Sequence, residues 1–73
     1  MSYIVPFADK QENEIFIKRF EARSYTECQE KIIEYVENEW GIDEQFPDNY
    51  NKFVELMKDY DLLIGDIKDL DLI

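Results

Sequence analysis

The chain has 73 residues, which is enough for one small domain spanning residues 1–73. Eighteen acidic and eight basic residues give a net charge of −10, which excludes direct nucleic-acid binding through phosphate contacts, since these require lysine and arginine. With 45% hydrophobic residues and eleven aromatic residues, the chain is too apolar to be disordered.

A domain of this size has a thin core and often needs a disulfide, a metal or a second subunit for stability. Cys28 is the only cysteine, so an internal disulfide is impossible, and the sequence has no histidine to bind a metal. Of these three sources of stability, self-association remains. A single cysteine favours a reduced, intracellular setting such as the cytoplasm. We expect a soluble chain, because the N-terminus has no basic leader and no stretch is apolar enough to span a bilayer.

The first half of the chain predicts a β-hairpin. Tyr3–Phe7 is short and rich in β-forming residues, and Pro6 within it indicates an edge strand or a bulge, because proline has no N–H for a ladder. Asp9–Asn13 is polar and predicts the hairpin loop, after which Glu14–Arg23 resumes as a strand.

The second strand has apolar residues on both of its faces. Alternation places Phe16, Phe20 and Ala22 on one face and Ile15 and Ile17 on the other. We therefore expect both faces of this strand to be partly covered.

A capping box marks the start of the first helix. Ser24 is at the N-cap position and Glu27 follows three residues later. The helix should run from about Tyr25 to Glu39 and stop at Gly41, a residue typical of helix C-termini. Its apolar stripe consists of Tyr25, Cys28, Ile32, Tyr35 and Val36.

The rest of the chain predicts a second helix and a returning strand. The helix runs from about Pro47 to Lys58, with Tyr50, Phe53, Val54 and Met57 at helical spacing. Leu62–Ile64 and the alternation after Gly65 predict a third strand with a bulge or bend at that glycine. The order ββααβ predicts an α+β domain, an antiparallel sheet with two helices packed on one face.

The sequence does not favour an enzyme or a metal site, and we expect no cofactor. Without histidine, the common Ser–His and Cys–His nucleophile arrangements are impossible. A calcium-binding loop starting at Asp59 would need an oxygen ligand at its fifth position and glycine at its sixth, where the sequence has Leu63 and Ile64.

The predicted first helix carries a row of four glutamates, which we call the glutamate row: Glu27, Glu30, Glu34 and Glu37. They lie within about 80° on a helical wheel, nearly opposite the apolar stripe, and Lys31 is the only lysine among them. A solvated helix face accounts for glutamates in this place, but not for the near absence of lysine, since like charges at i,i+4 are destabilising. Residues 34–73 carry twelve acids and three lysines, a net charge of −9, so the row is best interpreted as one edge of a wider acidic field. The remaining candidates for this partner-binding field are Glu39, Asp43, Glu44, Asp48, Glu55, Asp59, Asp61, Asp66, Asp69 and Asp71.

In size and charge the chain resembles the phage-encoded DNA-mimic inhibitors, small acidic proteins that occupy DNA sites on host enzymes. Members of this bacteriophage class block restriction or repair enzymes, transcription proteins or the replication sliding clamp. The resemblance implies a host-takeover protein whose carboxylates replace phosphates in a basic DNA channel, so that the partner is a basic DNA-binding protein of the host. It carries no motif, and therefore no residue roles.

Two other functions remain open. An antitoxin-like or accessory protein–protein interaction module would neutralise a basic partner, with its acids forming only the rim of an apolar contact. The third possibility is a solvated domain without a partner. The apolar chain end, Leu70, Leu72 and Ile73, should either pack on the core or pair two copies into a homodimer.

Overall fold

The computed structural model describes residues 1–41 and 49–72. Its elements in chain order are the strands β1 (Ser2–Asp9) and β2 (Glu14–Glu21), the helices α1 (Tyr25–Trp40) and α2 (Tyr50–Lys58), the strands β3 (Leu62–Ile64) and β4 (Lys68–Asp69), and a 3₁₀ turn (Leu70–Leu72). The predicted α+β arrangement and its approximate ββααβ order are confirmed.

The sheet is antiparallel and has β1 at its centre. On one side β1 pairs with the whole of β2, from Ser2 opposite Glu21 to Asp9 opposite Glu14. On the other side it pairs with β3 and then with β4, so the predicted third strand is two short strands separated by residues 65–67.

Pro6 was expected in an edge strand or a bulge, but it lies in the central strand. Its carbonyl accepts a hydrogen bond from the Gly65 N–H at 2.8 Å, on the side where β3 has ended and β4 has not yet begun. Since the N–H and C=O of one residue in an antiparallel ladder point to the same neighbour, the missing Pro6 donor faces this interruption. Proline is tolerated because the central strand is locally an edge at this position.

Helix α1 agrees closely with its sequence signals. The Ser24 hydroxyl accepts a hydrogen bond from the Glu27 N–H at 3.2 Å, and Gly41 ends the helix in the left-handed conformation with φ of 60°. Cys28, Ile32 and Val36 are fully buried.

Helix α2 begins later than predicted. Asn49 is extended, and its side-chain oxygen accepts hydrogen bonds from the N–H groups of Asn51 and Lys52. Asn49 is therefore the N-cap of α2. Pro47, where the sequence predicted the start, lies outside the described residues. Phe53 and Met57 anchor the helix in the core.

The core lies between one face of the sheet and the two helices. It contains Tyr3, Val5, Phe7, Phe20, Ala22, Cys28, Ile32, Val36, Phe53, Met57 and Leu62. The other face was expected to be partly covered, but Ile15 and Ile17 are 82% and 67% exposed. Both described helices pack on the opposite face, which leaves these two side chains in solvent. Tyr25, at the start of the predicted α1 stripe, is also 51% exposed.

Candidate acidic interaction surface

The glutamate row forms a single stripe along the outside of α1. Glu30 and Glu34 are exposed, while Glu27 and Glu37 are half-buried at the margins of the stripe. The buried positions Cys28, Ile32 and Val36 fix the rotation of the helix, so the row points away from the core.

Within the described residues, one cation approaches the row. Lys31 Nζ lies 3.7 Å from a carboxylate oxygen of Glu27 and donates a hydrogen bond to the backbone carbonyl of Glu21. None of the described cations forms an ion pair with Glu30, Glu34 or Glu37. Three adjacent carboxylates of the stripe are thus available to an external partner.

Glu39 belongs to α1 but not to the glutamate row. It is about 120° around the helix from Glu27, on the side of the apolar stripe. There it lines a cavity of about 390 Å³, which we call the hairpin-end cavity. The lining residues are Asp9, Gln11, Glu12, Glu14, Phe16, Tyr35, Glu39 and Trp40.

The hairpin-end cavity combines carboxylates with aromatic rings. The Tyr35 and Trp40 rings meet edge to face at 6.0 Å between centroids, and Lys18 Nζ lies 4.9 Å from the Tyr35 centroid. Burial raises the pKa of the Tyr35 hydroxyl, and the nearby charges of Glu39 and Glu14 raise it further. The cavity therefore joins carboxylates to aromatic rings, one of which already has the Lys18 ammonium beside it, and this combination favours a cationic group.

Asp9 has a structural role at the edge of the cavity. Its side chain is buried, and one carboxylate oxygen accepts hydrogen bonds from the backbone N–H groups of Gln11 and Glu12 at 3.0 and 3.4 Å. Asn13 then closes the turn in the left-handed conformation with φ of 53°. The exposed Glu12 and Glu14 are held in place by this turn.

The acids of α2 do not extend the glutamate row. Glu55 forms an ion pair with Lys58 at 3.1 Å, and Lys52 is also exposed on this helix. Asp59 ends α2, and the backbone carbonyl of Asp61 accepts a hydrogen bond from the Lys10 N–H, so Asp61 lies near the β1–β2 turn.

The last predicted acids lie near the ends of the short strands. Asp66 is exposed between β3 and β4. Asp71 accepts a weak hydrogen bond from the Ser2 N–H at 3.3 Å, and Asp69 accepts one from the Asp71 N–H at 2.9 Å. Burial raises the pKa of the Tyr3 hydroxyl, to which the charges of Asp69 and Asp71 add. Asp69 and Asp71 lie beside the N-terminus of β1, apart from the hairpin-end cavity.

Some predicted residues lie outside the described part of the chain: Asp43, Glu44, Asp48, Ile73 and the side chain of Leu72. Leu70 is half-buried at the start of the 3₁₀ turn, so its assignment to self-association stays a prediction.

The basic residues of β2 are divided between the two faces of the sheet. Lys18 lies on the helix side against Tyr35, whereas Arg19 lies on the opposite face and pairs with Glu21 at 2.8 Å. The hydroxyl of Ser2 and the guanidinium of Arg19 both donate to Glu21 and lower the pKa of its carboxyl. This arrangement supports internal pairing for Arg19 and does not form a basic patch.

Sequence reasoning missed the contribution of the hairpin to the acidic surface. Asp9, Glu12 and Glu14 belong to the nearly neutral first half of the chain, yet the fold places them beside Glu39. The pairing of Asp9 with Glu14 follows from the hairpin register, but their proximity to Glu39 depends on where α1 crosses the sheet.

Comparison of the chain with protein-family models, curated proteins and solved structures finds no match. Among residues 1–41 and 49–72, no set of acidic or cysteine side chains is grouped as a metal site would require. No helix in that same part of the chain is long and apolar enough to cross a membrane.

Proposed function

We propose that this chain is an acidic DNA mimic, which inhibits a host DNA-binding enzyme by occupying its basic DNA site. The observation that carries the proposal is the glutamate row, in which the exposed Glu30 and Glu34 and the half-buried Glu37 share one stripe without an ion pair to any described cation. Lysines and arginines in a DNA channel would be attracted to this stripe as they are to phosphates.

The spacing of the row supports this proposal. Glu27 and Glu37 are ten residues apart, which corresponds to about 15 Å of helix axis. Four carboxylates over that length give about one charge per 5 Å, compared with about one phosphate per 3.4 Å along a DNA strand. A helix with this density offers a basic channel several contacts at once. The replication sliding clamp is the target to test first, because its channel is basic and wide enough for duplex DNA.

The second candidate is an antitoxin-like or accessory module that binds one basic partner. The hairpin-end cavity favours it, because Glu14 and Glu39 stand beside the rings of Phe16, Tyr35 and Trp40. A lysine or arginine side chain from a partner would find opposite charge and aromatic faces in the same cavity. In that case the glutamate row would form only the rim of the contact.

The test is a pull-down of the tagged chain from host lysate, followed by competition with labelled duplex DNA. The mimic should recover a DNA-binding protein and displace the duplex from the purified partner. If four carboxylates replace four phosphates, affinity should fall on the order of 100-fold between about 50 and 200 mM salt. A partner that binds the chain and duplex DNA simultaneously would contradict the proposal.

Charge reversal then separates the two candidates. Changing Glu30, Glu34 and Glu37 together to lysine should abolish binding if the chain is a DNA mimic. If the chain is an accessory module and the glutamate row is only the rim of the contact, the same change should mainly slow association. The matched control changes Glu55, Asp59 and Asp66 to lysine, because these three are exposed outside both the glutamate row and the hairpin-end cavity and the net charge changes equally. Equal loss of binding in both triple variants would show that overall charge, and not the glutamate row, is recognised.

A further inference from the structure

The sheet face opposite the helices is apolar, and its side chains are exposed on β2 and half-buried on the central strand β1. We call it the open sheet face. Its apolar residues are Ile4, Pro6, Ala8, Ile15, Ile17 and Leu63. They form one continuous patch, because Pro6 pairs with Ile17 and Ala8 pairs with both Ile15 and Leu63. Contiguous exposed apolar patches are uncommon on soluble monomers beyond a few hundred Å², and larger ones mark interaction surfaces.

The open sheet face also differs from the rest of the molecule in charge. Its described charged residues are Arg19, Glu21 and Lys68, and Arg19 and Glu21 neutralise each other at 2.8 Å. The face therefore carries a charge of about +1 in a chain whose net charge is −10. Two copies that meet through this face would hold their acidic helix layers on the outside, where repulsion between them is weakest.

We propose that the open sheet face binds a second copy of this chain, so that two sheets stack face to face in a homodimer. Sheets that pack in this way lie about 10 Å apart with their inner side chains interdigitated. Ile15 and Ile17 would then be buried between the sheets, as core residues are in a β-sandwich.

The dimensions of the molecule support a second copy of the chain as the partner of this face. The backbone measures 32 × 27 × 18 Å, and its thin direction is consistent with one layer of helices on one sheet. A footprint of 32 × 27 Å is an upper bound on the contact area and is large enough to contain the roughly 800 Å² per partner of a standard interface. Stacking would also bury more apolar surface, and a second subunit is one of the ways in which a small domain with a thin core is stabilised.

The test is sedimentation velocity at about 100 µM, where the wild type should sediment as a dimer, with twice the 8.9 kDa mass of one chain. Ile17→Lys and Leu63→Lys should each raise the dimer Kd by at least about 100-fold, because a buried, unpaired ammonium is strongly disfavoured. Asn38→Lys is the matched control, since Asn38 is exposed on α1 and the charge change is the same. Circular dichroism should show folded chains for all three variants, because Ile17 and Asn38 are exposed and Leu63, at 36% exposure, lies outside the core cluster.

The two lysine variants distinguish face stacking from the other ways in which copies could associate. Pairing through the free edge of β2 would be weakened by Ile17→Lys but not by Leu63→Lys, because Leu63 lies on the other side of β1. A dimer that persists in Leu63→Lys would therefore overturn the proposal, as would a wild type that is monomeric at this concentration. Each substitution makes the net charge less negative, so dissociation of the variants could not be attributed to increased acidic repulsion.

Discussion

The contact between Gly65 and Pro6 is a precise test of how the central strand accommodates proline. A Cβ at position 65 would overlap Cγ of the Pro6 ring and would approach Cδ to 3.3 Å. Gly65 does not have a positive φ, so alanine is compatible with its backbone conformation. Any cost of Gly65→Ala should therefore come from the collision with the ring and not from backbone strain.

The expected size of the effect combines two opposing terms. Overpacking a close contact costs about 1–3 kcal/mol. Replacing glycine by alanine at a permissive position restricts the unfolded chain and stabilises the protein by about 0.4–1 kcal/mol. We expect Gly65→Ala to lower the free energy of unfolding by about 1–2 kcal/mol in net terms.

The assay is a double-mutant cycle with Pro6→Ala, using urea unfolding followed by far-UV circular dichroism at one fixed protein concentration. With the ring removed, Gly65→Ala should be neutral or should stabilise by up to about 1 kcal/mol. For a small domain, 1 kcal/mol corresponds to a shift of up to about 1 M in the urea midpoint, which is readily measured. An equal cost of Gly65→Ala in both backgrounds would refute the explanation through the Pro6 ring.

Two further predictions concern the helices. Ser24→Ala removes the acceptor of the Glu27 N–H and should lower the free energy of unfolding, measured with urea, by about 1 kcal/mol. The control Thr26→Ala, in the same turn, should lower it by less. Equal losses in the two variants would contradict the capping role of Ser24. Burial raises the pKa of Cys28 and Tyr50, so both groups hold their protons more tightly when folded. Their contribution to stability is complete below the unfolded pKa values of 9.0 and 10.0, so stability should fall as pH rises above about 9 and more steeply above about 10. Tyr50→Phe should reduce this fall, and an unchanged pH profile would exclude Tyr50 as a source of it.

The first helix could be predicted closely because its signals are local. The two ends of the helix are specified by local residues, Ser24 with Glu27 at the start and Gly41 at the end. Its buried side is specified by Cys28, Ile32 and Val36. The glutamate row follows from the same periodicity, so its common face was predictable as well. Each of these features depends on residues that are close together in sequence.

The position of Pro6 could not be predicted because it depends on strand order. The sequence indicates that Pro6 avoids a full ladder, but it does not indicate that β3 and β4 flank it with a gap between them. The exposure of Ile15 and Ile17 is a similar case. Alternation divides the residues of β2 between two faces, but only the tertiary structure determines that both described helices pack on the Phe20 side.

The two proposals make opposite predictions about salt, and this separates them in a single titration. Binding of the glutamate row to a basic channel is an attraction between opposite charges, so added salt should weaken it. Association through the open sheet face is apolar and is opposed by repulsion between two chains of net charge −10, so added salt should strengthen it. If the dimer is the form that binds the target, Ile17→Lys should weaken target binding although Ile17 lies on the opposite face of the sheet from α1. If the monomer binds, that variant should retain full affinity, and the open sheet face would then serve stability alone.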